Sequence, residues 1–368
     1  MIKARSTACQ PNYAIPPGET LRETLETIGM KQAELAERTG RPKKTINEII
    51  AGKAAITAET ALQLERVLGV PASFWNNLER NYRESLARLK EEEKLEKQIE
   101  WLNKFPFMVL ENMGWIPRED TPIKKLKALL SFFAVAGIEE WNKIWGAPQG
   151  AYRESKAFQS HPEAIATWLR KGEIEAAQIS AQAYHSRSFQ TALRKIRSLT
   201  DKPPEVFEPK MREVSAQAGV AVVFVPEIRG THVYGVTRWL KATKALIQMS
   251  LRGKADDHLW FTFFHEAGHI LLHGKDEMFI EASENGYKES GRKEKEGQAD
   301  RFSQDFLIPP GEYQSFLEAR DFGLSAIRRF AKEIGVAPGI VVGRLQHDEI
   351  IPFSHGNSLK KRFKFSGR

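Results

Sequence analysis

Cysteine is almost missing from this sequence. Its one copy, Cys9, has no partner for an intrachain disulfide, which fits a reducing compartment. Long apolar runs are missing too. The best candidates, 128–138 and 259–272, are too short or carry charge, whereas a membrane span needs roughly 18 apolar residues. The opening stretch MIKARSTACQPNY lacks the apolar centre of a secretory signal. A cytoplasmic protein with no membrane partner is therefore expected. No long internal repeat is found. With 41% hydrophobic and 28% charged residues, the chain has neither a disordered nor a collagen-like composition.

What is present is 368 residues, enough for two or three domains at roughly 150 residues each. The formal net charge is +8. A basic balance suits nucleic acid as a partner, although many basic proteins bind none. Apolar periodicity marks residues 18–80 as short helices broken by turn signals. Leu21, Leu25 and Ile28 share one face, Leu35 points inward in the next helix, and Ile46, Ile49 and Ile50 do so in the third. Thr57 is a candidate N-cap ahead of Leu62, Leu64 and Leu68, and a fifth helix opens at Ser73. Leu86–Gln98 is dense in both charges and reads as an exposed helix or connector. Trp101–Leu199 stays helical without a motif that carries chemistry. Three strands follow within 220–251, then a helix over HLWFTFFHEAGHILL, a polar loop over Lys275–Lys295, a helix over EGQADRFSQDFL, and two shorter helices. The fold class expected is mostly α with a small β-sheet (α+β), divided as 1–82, 83–200, 201–310 and 311–368, the last ending in a basic tail.

The strongest chemical signal is His265-Glu266-Ala267-Gly268-His269. Histidines four apart share one helix face and can hold one metal ion. Glu266 falls beside that face, aimed at water rather than at the ion. Glu296, opening the next helix, is the candidate third ligand. Asp300, four residues on, shares its face and can accept a hydrogen bond from a ligand histidine. Glu294 and Glu289 are fallback ligands. His273 drifts off the ligand face, and it and His258 read as structural. Two histidines and one carboxylate leave zinc a position for water, whose pKa the ion can lower to about 7, and Glu266 can take the proton. An extended peptide could pair with a strand edge supplied by Tyr234–Trp239 or Ala245–Leu251. Tyr234, His232 and Tyr287 are candidate oxyanion donors.

Residues 31–50 form a second constellation. A helix-turn-helix needs a small residue where its helices cross, a turn, and apolar residues on the inner face of the second helix. Ala36, Gly40, Ile46 and Ile49 meet those needs. Lys43, Lys44 and Asn47 then face outward and can reach bases, while Gln32 and Thr45 can hold phosphates. Residues 1–80 carry eleven basic and nine acidic side chains. Periodicity alone therefore leaves double-stranded DNA and a protein partner both open. A similar pattern at Ala326–Asp348 reads as a helical pair packed on the metal-binding part.

Two resemblances follow from these residues. The stretch from PGETLRETLETIGM to VPASFW resembles the XRE-type helix-turn-helix of HigA-like antitoxins. FFHEAGHILLH, EGQADRF and DFLIP resemble the ImmA/IrrE family of zinc metallopeptidases. The resemblance implies a five-helix DNA-binding domain, a helical middle region and a zincin-like C-terminal domain. It implies His265, His269 and Glu296 as zinc ligands and Glu266 as general base. It also implies a regulator at an operator that cleaves a specific partner protein, whether repressor, toxin or itself; paired half-sites on DNA match a two-fold protein, so a homodimer is expected. The alternative is a non-proteolytic antitoxin or repressor whose metal domain only binds its partner. Gly297 departs from what a helix beside a ligand would favour.

Overall fold

The computed structural model describes residues 14–146, 162–275, 279–282 and 290–365. Cys9, Tyr287 and Glu289 lie outside them. The described chain divides into two units, one of residues 1–101 with 121–126 and one of 102–120 with 127–368.

In the first unit five helices follow the apolar periodicity: α1 (Pro17–Ile28), α2 (Gln32–Thr39), α3 (Lys43–Ile50), α4 (Ala58–Leu68) and α5 (Ala72–Glu96). Leu21, Leu25, Leu35, Ile46, Ile49, Leu64 and Trp75 meet in one core. Ile28, on the same face as Leu21 and Leu25, and Leu62 stay about half exposed. Thr57 caps α4, accepting the Thr60 N–H. Gly40 turns the chain between α2 and α3 at φ 67°, a left-handed conformation that costs glycine little. Gly18 matters for a different reason. A side chain there would overlap the backbone of Ile49 and Ile50, so α1 can lie against α3 only with glycine. The fifth helix begins at Ala72 rather than Ser73 and runs unbroken through the charged Leu86–Glu96 stretch. Dense i,i+4 pairs such as Glu84–Arg88 support it there.

The second unit is built on a four-stranded sheet of β1 (Val220–Phe224), β2 (Val233–Lys241), β3 (Lys244–Met249) and β4 (Phe279–Ala282), in the order β1-β3-β2-β4. β1 runs parallel to β3, and the other pairs are antiparallel. Two expectations are corrected here. The 275–295 segment is not all loop, because it contains β4 and the start of a helix at Ser290. Nor are Tyr234–Trp239 and Ala245–Leu251 open edges. β3 lies between β1 and β2, and β2 between β3 and β4, since strand order is set by long-range pairing that periodicity does not encode.

The helices of this unit are α6 (Phe107–Asn112), α7 (Pro122–Phe133, which begins in the first unit), α8 (Ile138–Trp141), α9 (Pro162–Ala177), α10 (Ser186–Arg197), α11 (Pro204–Gln217), α12 (Asp256–Leu272), α13 (Ser290–Leu307), α14 (Pro310–Glu318), α15 (Leu324–Ile334) and α16 (Pro338–His347). The middle region is more than a connector, for α9 covers one face of the sheet. Trp168 donates to the Val225 carbonyl, Arg238 of β2 to Leu169, and Gln248 of β3 to Trp168. The opposite face meets α12, where Thr237 donates to the Glu266 carbonyl. With helices on both faces the strands are buried almost throughout. The pair α15–α16 packs into the same core through Ile327, Ala331, Ile340 and Val341, as the packing reading of 326–348 expected.

Candidate metal centre

α12 is apolar on nearly every side, with Leu259, Trp260, Phe263, Phe264, Ala267 and Ile270 all buried. A helix of that kind belongs in a core. Gly268 lets α13 come close: a Cβ there would stand 3.1 Å from Phe302 and 3.3 Å from Ala299. Pro309 and Pro310 end the α13 segment, as read from sequence. Arg197 secures that end by donating to the carbonyls of Phe306, Leu307 and Ile334.

The crossing brings Glu296 to the two histidines. Nε2 of His265 lies 3.2 Å from Glu296 Oε2, Nε2 of His269 lies 3.4 Å from it, and the two Nε2 atoms are 3.0 Å apart. One His265, His269 and Glu296 group thus offers three ligand atoms around one point. Tetrahedral bonds of about 2.0–2.1 Å place ligand atoms about 3.3 Å apart, so the spacing suits such an ion.

The outer hydrogen bonds set the tautomers. His265 Nδ1 faces Asp300 Oδ1 at 2.8 Å. A carboxylate only accepts, so Nδ1 carries the proton and Nε2 the lone pair. His269 Nδ1 is 2.8 Å from His273 Nδ1, and His273 Nε2 is 3.1 Å from Gln298 Oε1. The amide nitrogen of Gln298 is turned to Glu294, so its oxygen faces His273 and accepts. The protons then run from His269 Nδ1 to His273 Nδ1 and from His273 Nε2 to Gln298, leaving a lone pair on His269 Nε2. Two imidazole lone pairs and a carboxylate oxygen converging in a buried site call for a cation, and the donor set fits one.

Charge states agree with that fit. Burial pushes the Glu296 carboxyl up, but the adjacent His265 and His269 imidazoles outweigh it and hold the group at about 2. Burial drives His269 down to about 4, against the opposing pull of Glu296. Near neutrality the site therefore holds a carboxylate and a neutral imidazole, the forms that bind metal. Glu266 is fully buried. Its carboxyl packs on Gly235 of β2, where a Cβ would come within 2.7 Å of Oε1.

Among the other sequence candidates, Glu294 is exposed and His258 stacks on Tyr234 at 5.9 Å. Neither belongs to the convergent group. His232 is exposed, and Tyr234 also faces the Arg252 guanidinium. Three participants escaped the sequence reading: the His273–Gln298 relay, Gly235 and Phe279. The repeated four-residue step 265, 269, 273 was a signal for the first. In the helix-turn-helix, Lys43, Lys44 and Asn47 are exposed at the start of α3, while Gln32 and Thr45 are half-buried. Lys44 pairs loosely with Glu48 at 3.9 Å. Arg41 pairs with Gln63 and Glu59, tying the α2–α3 turn to α4.

Comparison with known proteins gives both halves a class. Residues 21–75 match the helix-turn-helix family and residues 235–346 the IrrE N-terminal-like domain of the M78 peptidases. The virulence-associated protein I of Dichelobacter nodosus is 41% identical over 70 residues, which span 19% of this chain and 65% of that protein. The HTH-type transcriptional regulator YddM of Escherichia coli (strain K12) is 32% identical over 63 residues, 17% of this chain and 67% of its own. The chain thus spans about two thirds of the length of these curated relatives. Among solved structures, an addiction module antidote protein of the HigA family from Coxiella burnetii is 36% identical, covering 23% of this chain and 92% of its own at a TM-score of 0.22. PA4674 of Pseudomonas aeruginosa, solved in complex with its operator DNA, is 30% identical over 24% of this chain and 94% of its own, also at 0.22.

The chain therefore joins an XRE-type helix-turn-helix to an IrrE-like peptidase domain. Through its N-terminal segment it belongs to the helix-turn-helix family. Among the described residues no helix is long and apolar enough to cross a membrane.

Proposed function

We propose that this protein is a DNA-binding regulator of the antitoxin type whose C-terminal domain is a zinc-dependent endopeptidase. The single observation that carries the peptidase reading is the convergence of His265 Nε2, His269 Nε2 and Glu296 Oε2 at 3.0–3.4 Å from one another. These three atoms would hold the ion, which when bound supplies Lewis-acid polarisation of a carbonyl and a lowered pKa for water. Asp300 fixes the His265 ring through Nδ1, and His273 with Gln298 fixes that of His269. The Glu266 carboxylate takes a proton from water and returns it to the departing amine nitrogen.

On the DNA side, α3 would enter the major groove with Lys43, Lys44 and Asn47 near base edges, and Gln32 and Thr45 would hold phosphates. A homodimer on paired half-sites follows from the symmetry of such operators. The division of labour we propose is 1–82 for DNA, 83–200 as scaffold, 201–310 for peptidase chemistry and 311–368 as a helical extension. In the cytoplasm, cleavage of a specific partner protein would change expression at the bound promoter.

The test compares the purified wild type with His265→Ala and Glu266→Gln. Wild type and Glu266→Gln should contain stoichiometric zinc by elemental analysis, and His265→Ala should not. Co-expression with the product of the adjacent gene should yield a fragment with wild type and none with Glu266→Gln or chelator. Full cleavage by Glu266→Gln would overturn the peptidase reading. Unchanged neutralisation and repression by that variant, with no fragment from wild type, would establish the binding-only alternative.

A further inference from the structure

The strand edge nearest Glu266 is already paired. Gly235 of β2 touches the Glu266 carboxyl, which makes β2 the strand a substrate would have to line. β4 lies there instead, antiparallel, with Val233 opposite Ala282, Gly235 opposite Glu281, Val236 opposite Ile280 and Thr237 opposite Phe279. The Phe279 ring stacks on the ligand histidine His269, with centroids 3.8 Å apart and planes 14° from parallel, and it is buried. It also contacts His273 at 5.1 Å.

Distance decides which edge a substrate can use. Neighbouring strands lie about 4.8 Å apart. A chain in the place of β4 runs one spacing from β2 and its neighbour Glu266. A chain added outside β4 would run roughly 10 Å from β2, too far for a reacting carbonyl that must come within about 3–3.5 Å of its partners. β4 is also short, with four residues, and such strands contribute few ladder bonds.

Resting on the peptidase reading above, we propose that Phe279–Ala282 occupies the substrate's own place as an internal mimic. An incoming polypeptide enters by strand exchange, extended and antiparallel to β2, with a large apolar side chain where Phe279 sits. The substrate class is thus an unfolded or locally opened protein segment carrying an aromatic residue. The resting enzyme is held closed by its own chain.

The experiment uses full-length protein in the Glu266→Gln background and a fluorescent peptide with the sequence of residues 276–285, DEMFIEASEN. Anisotropy should show binding to Phe279→Ala and to Ile280→Pro at least about tenfold tighter than to the parent, because the internal competitor is weakened. The same peptide with alanine for its phenylalanine should bind weakly to all three. Equal affinity for parent and variants, with far-UV circular dichroism unchanged, overturns the proposal. Should Ile280→Pro fail to fold, Phe279→Ala and the unaltered chain decide the matter. In the unaltered chain, millimolar peptide should speed amide exchange across 279–282 and leave 220–224 unchanged, and no change at 279–282 overturns the proposal. Peptide that binds the variants but is never cut when Glu266 is restored removes the peptidase reading and leaves strand exchange standing. With Glu266 restored, cleavage of a protein partner at equal rates by the unaltered chain, Phe279→Ala and Ile280→Pro, with no gain in peptide affinity, removes strand exchange and leaves the peptidase.

Discussion

The candidate metal centre owes its order to side chains one bond beyond the proposed ligands. Asp300 and His273 each take the outer nitrogen of one histidine, and outer partners of this kind typically hold about 10–100-fold of metal affinity. His273→Leu should therefore lower zinc affinity by about that factor in a chelator competition. His273→Gln, which keeps an acceptor, should recover part of it. An unchanged affinity in His273→Leu would show the contact to be incidental. Gly297 can be judged by the space around it. A Cβ there meets nothing within 4 Å, so neither close packing nor a turn requires glycine. Gly297→Ala should stabilise α13 by up to about 1 kcal/mol, read as a rise in melting temperature with zinc content unchanged. Asp300 could be named from its spacing to Glu296 because an i,i+4 relation survives in any helix. The drift of His273 around the helix counts against a ligand and says nothing about an outer partner.

Among elements, the sheet and α9 show how a region without motifs becomes part of the site's foundation. Arg238, buried on β2, donates to the Leu169 carbonyl and pairs with Glu173 at 2.8 Å. Arg238→Ala leaves Glu173 and that carbonyl without this partner, and breaking a buried pair from one side costs about 3–5 kcal/mol. Because Glu173 also pairs with Arg170, the loss should fall near the lower figure, measured as a shift of the urea midpoint. Over its described residues, 359–365, the basic tail is likewise docked. Asp256 donates its N–H to the Lys361 carbonyl, Phe363 donates to Lys254, and Lys360 binds Asp257 and Gln346. α16 can approach the same helix start because Gly339 and Gly343 present no Cβ to Asp256 and Asp257. None of this was readable from sequence, where five basic residues look the same whether solvated or docked. β4 was missed for a related reason: four residues inside a polar stretch have no period to detect.

For the whole molecule, buried charge makes stability depend on pH. Burial raises the Asp256 carboxyl from 3.8 to about 6, with Asp257 beside it adding to the shift and backbone N–H groups opposing it. A group whose folded pKa lies above its unfolded value stabilises fully below the unfolded value, and that contribution is lost as pH rises through the folded one. The window here runs from about pH 4 to 6 and is worth on the order of 3 kcal/mol. Asp256→Asn should remove this part of the pH dependence and be the more stable form at pH 7.5. A wild type and variant whose denaturant midpoints differ by the same amount at pH 4 and pH 7.5 would count against it.

The five N-terminal helices, the HEAGH pentapeptide and the helix after it were legible because each rests on a local period: apolar residues three or four apart, glycine and proline at the ends, ligands one turn apart. Those relations hold wherever the helix is placed. Which strands are inner, which acid meets the histidines, what lies along β2 and where the tail docks depend on partners far apart in the chain. Such contacts are chosen by packing and burial of the assembled core, a property of the surface each element meets rather than of its own residues.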